Sequence, residues 1–225
     1  YVQLGAGYPM SDRATSTVDR AHAFVETLIN GTESGTAILS SSCTSLTTML
    51  SECYGRIIQP NDEIILCQQG HEANIGPWLN LEKCGAVIRW WNVDPTTGSL
   101  NVDDLHKLLN ERTRIVAFPQ VSNLLGEIVD VRAVADAAHA HGAKVVVDGV
   151  AYAPHRPIDV EVMAADWYVY STYKVYGPHM GALWGRADAI AEIDGPNHFF
   201  IPRDQAPYVF ELGGASHEGC AGILA

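Results

Sequence analysis

Short runs rich in β-branched and aromatic residues recur along this chain, separated by stretches of helical period, and this alternation constrains the fold most. The period-2 and all-apolar runs predict strands over 36–39, 63–67, 86–91, 114–118, 143–147, 167–170 and 182–184. The intervening stretches predict helices over 18–30, 44–58, 73–84, 102–110 and 131–141. Several strands are apolar along their whole length, not on alternate residues, which implies burial on both faces. The expectation is an α/β fold: a three-layer α/β/α sandwich around a mainly parallel sheet.

Turn chemistry sets the boundaries. Pro60-Asn61-Asp62 stops one helix before a strand, Asp94-Pro95-Thr96-Thr97-Gly98 is a turn cluster, and His141-Gly142 places glycine where a helix ends. There is no internal repeat and no long linker, so residues 1–225 are expected to form one domain. Beyond Ile193, Asp194-Gly195-Pro196-Asn197 and Ile201-Pro202-Arg203-Asp204 predict irregular structure lying over a site or against another subunit.

Charge and cysteine usage narrow the setting. Lys and Arg number 14 against 26 Asp and Glu, a net charge of −12, which repels nucleic acid and anionic lipid at long range. No apolar run reaches the roughly 18 residues of a membrane-spanning helix, and the first residues show no basic flank followed by an apolar block. Five cysteines, an odd number without a CxxC pair, fit a reducing compartment, so a cytoplasmic protein is expected. The chain does not begin with Met and is expected to be part of a longer protein.

In open α/β sheets ligands gather at the carboxyl ends of strands. Three such places carry reactive groups. Asp148 ends the run Val145-Val146-Val147, where a carboxylate requires a donor or a cation. Lys174 follows Trp167-Tyr168-Val169-Tyr170-Ser171 and precedes Gly177-Pro178, a setting expected to desolvate its amine. Ser40-Ser41-Ser42-Cys43-Thr44-Ser45 joins a strand to a helix, whose free N–H groups suit a phosphate. Acid, amine and phosphate cradle together are what pyridoxal 5'-phosphate requires.

Asp148-Gly149-Val150-Ala151-Tyr152-Ala153-Pro154-His155, with Lys174 following 26 residues after the Asp in Ser171-Thr172-Tyr173-Lys174-Val175-Tyr176-Gly177-Pro178-His179, resembles the class V aminotransferase family, especially its cysteine-desulfurase-like branch. Gly70-His71-Glu72-Ala73-Asn74-Ile75-Gly76-Pro77-Trp78 is similar to the family's histidine segment, and Gln120-Val121-Ser122-Asn123-Leu124-Leu125-Gly126 to its asparagine turn. Ser42-Cys43-Thr44 stands at the place of its phosphate loop, and Glu211-Leu212-Gly213-Gly214 at a later glycine turn.

The resemblance implies the large, cofactor-binding domain of a fold type I pyridoxal phosphate enzyme, without the C-terminal small domain. It implies action at the α-carbon of an amino acid, as an aminotransferase or a desulfurase-like lyase, in a homodimer. Lys174 is then the Schiff-base lysine and proton carrier, and Asp148 the partner of the pyridine nitrogen. His71 lies against the ring, and Asn123 sits near the phenolic oxygen or the substrate carboxylate. Ser171, Thr44 and the Cys43 and Thr44 amides bind phosphate, while Tyr173 replaces a family histidine. No metal is expected, because His139 and His141, two apart on a helix, point away from each other.

Three departures bear on function. Ala151 stands where relatives place Gln or His and offers no hydrogen bond to the phenolic oxygen. Gly214 stands where many have a Thr reaching a neighbour's phosphate. The family's sulfur-carrying cysteine and substrate-binding arginine belong to segments outside this chain. Cys53, Cys67 and Cys84 are expected buried and inert, with Cys43 at the phosphate loop and Cys220 the sole outside candidate. The alternatives are a binding domain that keeps the fold without turnover and a nucleotide-binding domain, although no GxGxxG follows any strand.

Overall fold

The strand run that carries Asp148 lies in the middle of a seven-stranded sheet in the computed structural model, which describes residues 3–225. In chain order the elements are α1 (Pro9–Leu28), β1 (Gly35–Ser40), α2 (Cys43–Gly55), β2 (Glu63–Cys67), α3 (Gly76–Leu79), β3 (Val87–Trp91), α4 (Val102–Leu108), β4 (Thr113–Pro119), α5 (Val131–His139), β5 (Lys144–Asp148), α6 (Val160–Met163), β6 (Trp167–Ser171), β7 (Gly181–Arg186), α7 (Ala187–Ala191) and α8 (His217–Ile223). The spatial order is β1-β7-β6-β5-β4-β2-β3. Only β7 runs against its neighbours, so β1 points the same way as β2 to β6.

Alternate residues of each strand enter two cores, which makes the molecule three-layered. Ile65, Cys67, Val145, Val147 and Tyr168 pack under α1, α4 and α5, whereas Ile64, Leu66, Val146, Trp167 and Val169 pack under α2, α3 and α7. Complete burial of a large apolar side chain stabilises by roughly 1.5–3 kcal/mol, and Trp78, Trp91 and Trp167 are wholly buried. The edge strand β3, whose run is not wholly apolar, is not covered on both faces: Arg89 and Trp90 reach solvent.

All seven strands form where expected, and the helices differ in instructive ways. The first begins at Pro9, not residue 18, because proline suits the first helical turn, and its added turns carry polar residues that give no apolar period. The helix expected over 73–84 is instead a 3-10 turn (Glu72–Asn74), the short α3 and a second 3-10 stretch (Asn80–Cys84). Gly76-Pro77 interrupts it, since proline has no N–H for the i−4 carbonyl.

Residues 194–216 are irregular as expected and are followed by α8, and no residue beyond Lys174 lines the cavity described below, so among the described residues this segment does not cover the site. It packs through Val209 and Phe210 on the α2 face and is tied to α1 by His22 Nε2 and Glu211 Oε1, 2.6 Å apart. No described helix is long and apolar enough to cross a membrane.

At the opposite end of the sheet, Asp166 is fully buried. It accepts from Arg186 Nη2 at 2.6 Å, His139 Nε2 at 2.8 Å and Val145 N at 2.7 Å. Removing one partner of such a network leaves uncompensated buried charge or donors. Asp166→Ala should therefore lower the unfolding free energy by about 3–5 kcal/mol with an unchanged denaturant slope, measured by urea titration. A loss below about 1 kcal/mol would contradict this role.

Candidate active site

The carboxyl ends of β1, β4, β5 and β6 meet the start of β7 along one edge of the sheet, and the reactive groups converge there. Cys43, Thr44, His71, Asn123, Asp148, Ser171, Tyr173 and Lys174, the eight residues expected at a site, all line one cavity of about 130 Å³.

The anion end is built by α2. Ser42 caps it: its Oγ accepts from Ser45 N at 3.1 Å, and Ser45 Oγ accepts from Ser42 N at 3.2 Å. Among the described residues, Cys43 N and Thr44 N then have no acceptor, and they sit at the positive end of a 13-residue helix. Opposite them, Ser171 ends β6 with its hydroxyl 3.1 Å from Cys43 Sγ. This approach depends on Gly181, where a Cβ would lie 2.5 Å from both Cys43 N and the Ser42 carbonyl carbon.

Asp148 forms the other end. It is 7% exposed, and its Oδ1 accepts from Val150 N at 2.9 Å. Its second oxygen has no hydrogen bond from the described residues. Burial pushes the carboxyl above the ordinary range, opposed by the Val150 N–H and by His71 and Lys174 nearby. The chain bends sharply after it, and a Cβ on Gly149 would lie 2.1 Å from the Tyr168 ring.

The remaining groups stand at the mouth. Lys174 lies in a 3-10 turn (Thr172–Val175) and is exposed, so the expected desolvation of its amine is not seen in this chain; the turn leaves the sheet too early to bury it. Among the described residues its Nζ has no ion-pair or hydrogen-bond partner. His71 is exposed, and its Nδ1 accepts from Ala73 N at 3.1 Å, which leaves the proton on Nε2 in the neutral ring. Asn123 is carried by a turn that closes through Gly126 at φ 70°. Tyr173 stacks on His179, ring centroids 4.9 Å apart.

Asn74 was not legible as a site residue from sequence. It is 2% exposed, lines the cavity, and accepts at Oδ1 from Trp78 Nε1 at 3.1 Å, while its Nδ2 has no partner among the described residues. Indole N–H only donates, so the amide orientation is fixed and a buried donor is left over. The spacing of Asn74 and Trp78, one helical turn apart, was the available signal. Ala151 also lines the cavity and offers no hydrogen bond, whereas Gly214 lies in a separate cavity with His22, Glu211 and Cys220.

All five cysteines are free. Cys84 is exposed, against expectation, because it ends a 3-10 stretch at the surface. Burial pushes the Cys43 and Cys67 thiols up to about 12 and those of Cys53 and Cys220 up to about 11, so none of these four is a ready thiolate. His139 is held by Asp166, and no cluster of three or more metal-binding side chains occurs among the described residues.

Two cores around a mainly parallel sheet, with an acid, an amine and unpaired helix N–H groups at its carboxyl edge, define an α/β domain with one polar cavity at the strand ends. The family model for aminotransferase class V matches residues 5–198, and the chain belongs to that family. It is 41% identical to an aminotransferase-like protein of Gibberella zeae over 99% of this chain and 56% of that protein. It is 36% identical to a cysteine desulfurase of Dickeya dadantii over 81% of this chain and 45% of that one. The structure superposes on a cysteine desulfurase of Escherichia coli with a TM-score of 0.83 and 29% identity, covering 97% of this chain and 58% of the other. The chain thus spans about half the length of these relatives.

Two outcomes test this geometry. Gly181→Ala, which forces the α2 terminus off β7, should weaken inorganic phosphate binding at least tenfold by calorimetry; unchanged affinity would place the anion cradle elsewhere. The raised carboxyl of Asp148 means that its ionised form is disfavoured in the fold. The associated stability is complete below the ordinary carboxylate range and is lost as pH rises through the folded-state value. Cofactor-free Asp148→Asn should therefore melt higher than the unsubstituted chain at pH 8, the gap narrowing as pH falls toward about 4. A gap that does not vary with pH would contradict the burial cost.

Proposed function

We propose that the chain is the large domain of a pyridoxal phosphate-dependent enzyme that acts at the α-carbon of an amino acid, with Lys174 as its Schiff-base lysine. The observation that carries this proposal is the placement of Asp148, Lys174 and the free N–H groups of Cys43 and Thr44 on a single cavity. The residues fit the cofactor: a buried carboxylate with one vacant oxygen suits a protonated ring nitrogen, and two free amides beside Ser171 suit a phosphate. When bound, the cofactor supplies an electron sink for the bond broken at the α-carbon.

The chain's own groups do the rest. Asp148 holds a proton on the ring nitrogen, and the low-dielectric surroundings strengthen that pairing. Lys174 Nζ, without an ion-pair partner among the described residues, would hold the cofactor through its amine and would carry the proton at the substrate's α-carbon. His71 and Asn123, which line the same cavity, would hold the ring and exclude water from it, with Asn123 offering its amide to the phenolic oxygen or the substrate carboxylate. Tyr173 offers its hydroxyl at the mouth. The relatives are described as an aminotransferase-like protein and a cysteine desulfurase, which supports amine transfer or C–S chemistry as the reaction class. A homodimer belongs to the same proposal, supported by wholly exposed Tyr176 and Phe199. The five free cysteines support a cytoplasmic setting.

Borohydride reduction of the protein incubated with pyridoxal phosphate tests the proposal. A stable adduct should map by mass spectrometry to the peptide containing Lys174 and vanish in Lys174→Ala. Asp148→Asn should retain the adduct while turnover of a responsive amino acid falls at least 100-fold. An adduct that persists in Lys174→Ala overturns the assignment, and colour without response to any amino acid favours a binding domain without turnover.

A further inference from the structure

His71 and Asn123 face the same cavity from different loops, yet neither is fixed by a long-range bond of its own. The side chain of His71 bonds only to Ala73 N two residues away, and that of Asn123 has no hydrogen bond within the described residues. Their relative placement must come from what joins the loops after β2 and β4. Among the described residues, one side-chain hydrogen bond links segment 68–76 to segment 120–128, from Gln69 Nε2 to Glu127 Oε2.

Glu127 reaches a third loop as well. Both its carboxylate oxygens accept from Leu100 N, at 2.9 and 3.1 Å, and Gln69 Nε2 also donates to Gly98 O at 3.0 Å. Leu100 and Gly98 belong to the turn after β3. At the same time the Glu127 carbonyl accepts from Ser122 N at 3.0 Å, and Gly126 N donates to Ser122 O at 2.8 Å, closing the turn that carries Asn123. Gln69 is 4% exposed, so its amide has little access to water as an alternative partner.

We infer that Glu127 is a positioning residue that locks the His71 loop, the Asn123 turn and the 94–100 turn into one unit, and so sets how these two side chains meet the bound ring. The inference rests on the function proposed above for its chemistry, but not for its mechanics. A charged acceptor shared by a buried amide and a backbone N–H is the stronger kind of hydrogen bond. Removing it frees the Asn123 turn from the other two loops, which stay joined by the bond from Gln69 Nε2 to Gly98 O.

Hydrogen exchange on the cofactor-free chain tests the mechanics. Glu127→Ala should speed exchange at least tenfold at Ala73, Asn74 and Gly126 together, although none of these amides bonds to the Glu127 side chain, and Glu127→Gln, which keeps an acceptor, should restore most of the protection. Exchange at Ala73 and Asn74 that stays at the unsubstituted rate, with only Leu100 affected, overturns the inference.

The pyridoxal phosphate-loaded protein provides the second readout. The pH midpoint of its visible band should shift in the same direction in Glu127→Ala and Asn123→Ala, and the double variant should shift no further than the larger single one. Additive shifts, or a lower melting temperature with an unmoved midpoint, leave Glu127 a merely structural residue and overturn the inference. Absence of any visible band in the unsubstituted protein overturns the proposed function instead, and the exchange experiment still decides the role of Glu127.

Discussion

A carboxylate buried at the end of a central parallel strand is unfavourable unless something positive completes it, and the site is organised around that requirement. Asp148 has one backbone donor, and burial disfavours its charge. Its position is not adjustable, because β5 lies between β4 and β6 and the chain turns at Gly149 against the buried Tyr168 ring. Tyr168 is itself held through its hydroxyl by Gln120 at 2.6 Å. The fold thus leaves an unmet electrostatic demand at one fixed point, which the protonated ring nitrogen of the proposed cofactor would satisfy.

The α2 end of the cavity depends on close backbone approach. Since Gly181 pairs with Ser40 on one side and Ser171 on the other, the single antiparallel strand brings the end of β1 and the end of β6 within reach of one anion. The α2 terminus lies directly on that glycine, so the helix dipole and the Ser171 hydroxyl address the same space. Acid and anion cradle are therefore set by the sheet, whereas Lys174, His71 and Asn123 come from the loops beyond it.

This division explains what could be read from the sequence. The strands, Asp148, Ser171 and the start of α2 were legible because all-apolar runs ending in a polar residue, and a serine cap, are local signals. Lys174 was legible from its place between a strand and the turn Gly177-Pro178, but its exposure was not, since that depends on where the 3-10 turn leaves the sheet. The broken helix after His71 was misread because its apolar residues keep a helical period through Gly76-Pro77. Asn74 and Glu127 escaped notice for a different reason: one is defined by an orphaned donor, the other by a bond to a residue 58 positions earlier. The first shows along the chain only as its spacing to Trp78, and the second leaves no pattern there.

The central claim is that Asp148 and Lys174 address opposite edges of one bound ring, and a crystal structure of the protein grown with pyridoxal phosphate tests it most directly. The account predicts an Asp148 oxygen within about 3 Å of the ring nitrogen, Lys174 Nζ joined to the carbon that was the aldehyde, and the phosphate against Cys43 N and Thr44 N. A ring bound elsewhere, or bound here with its nitrogen turned away from Asp148, would contradict it.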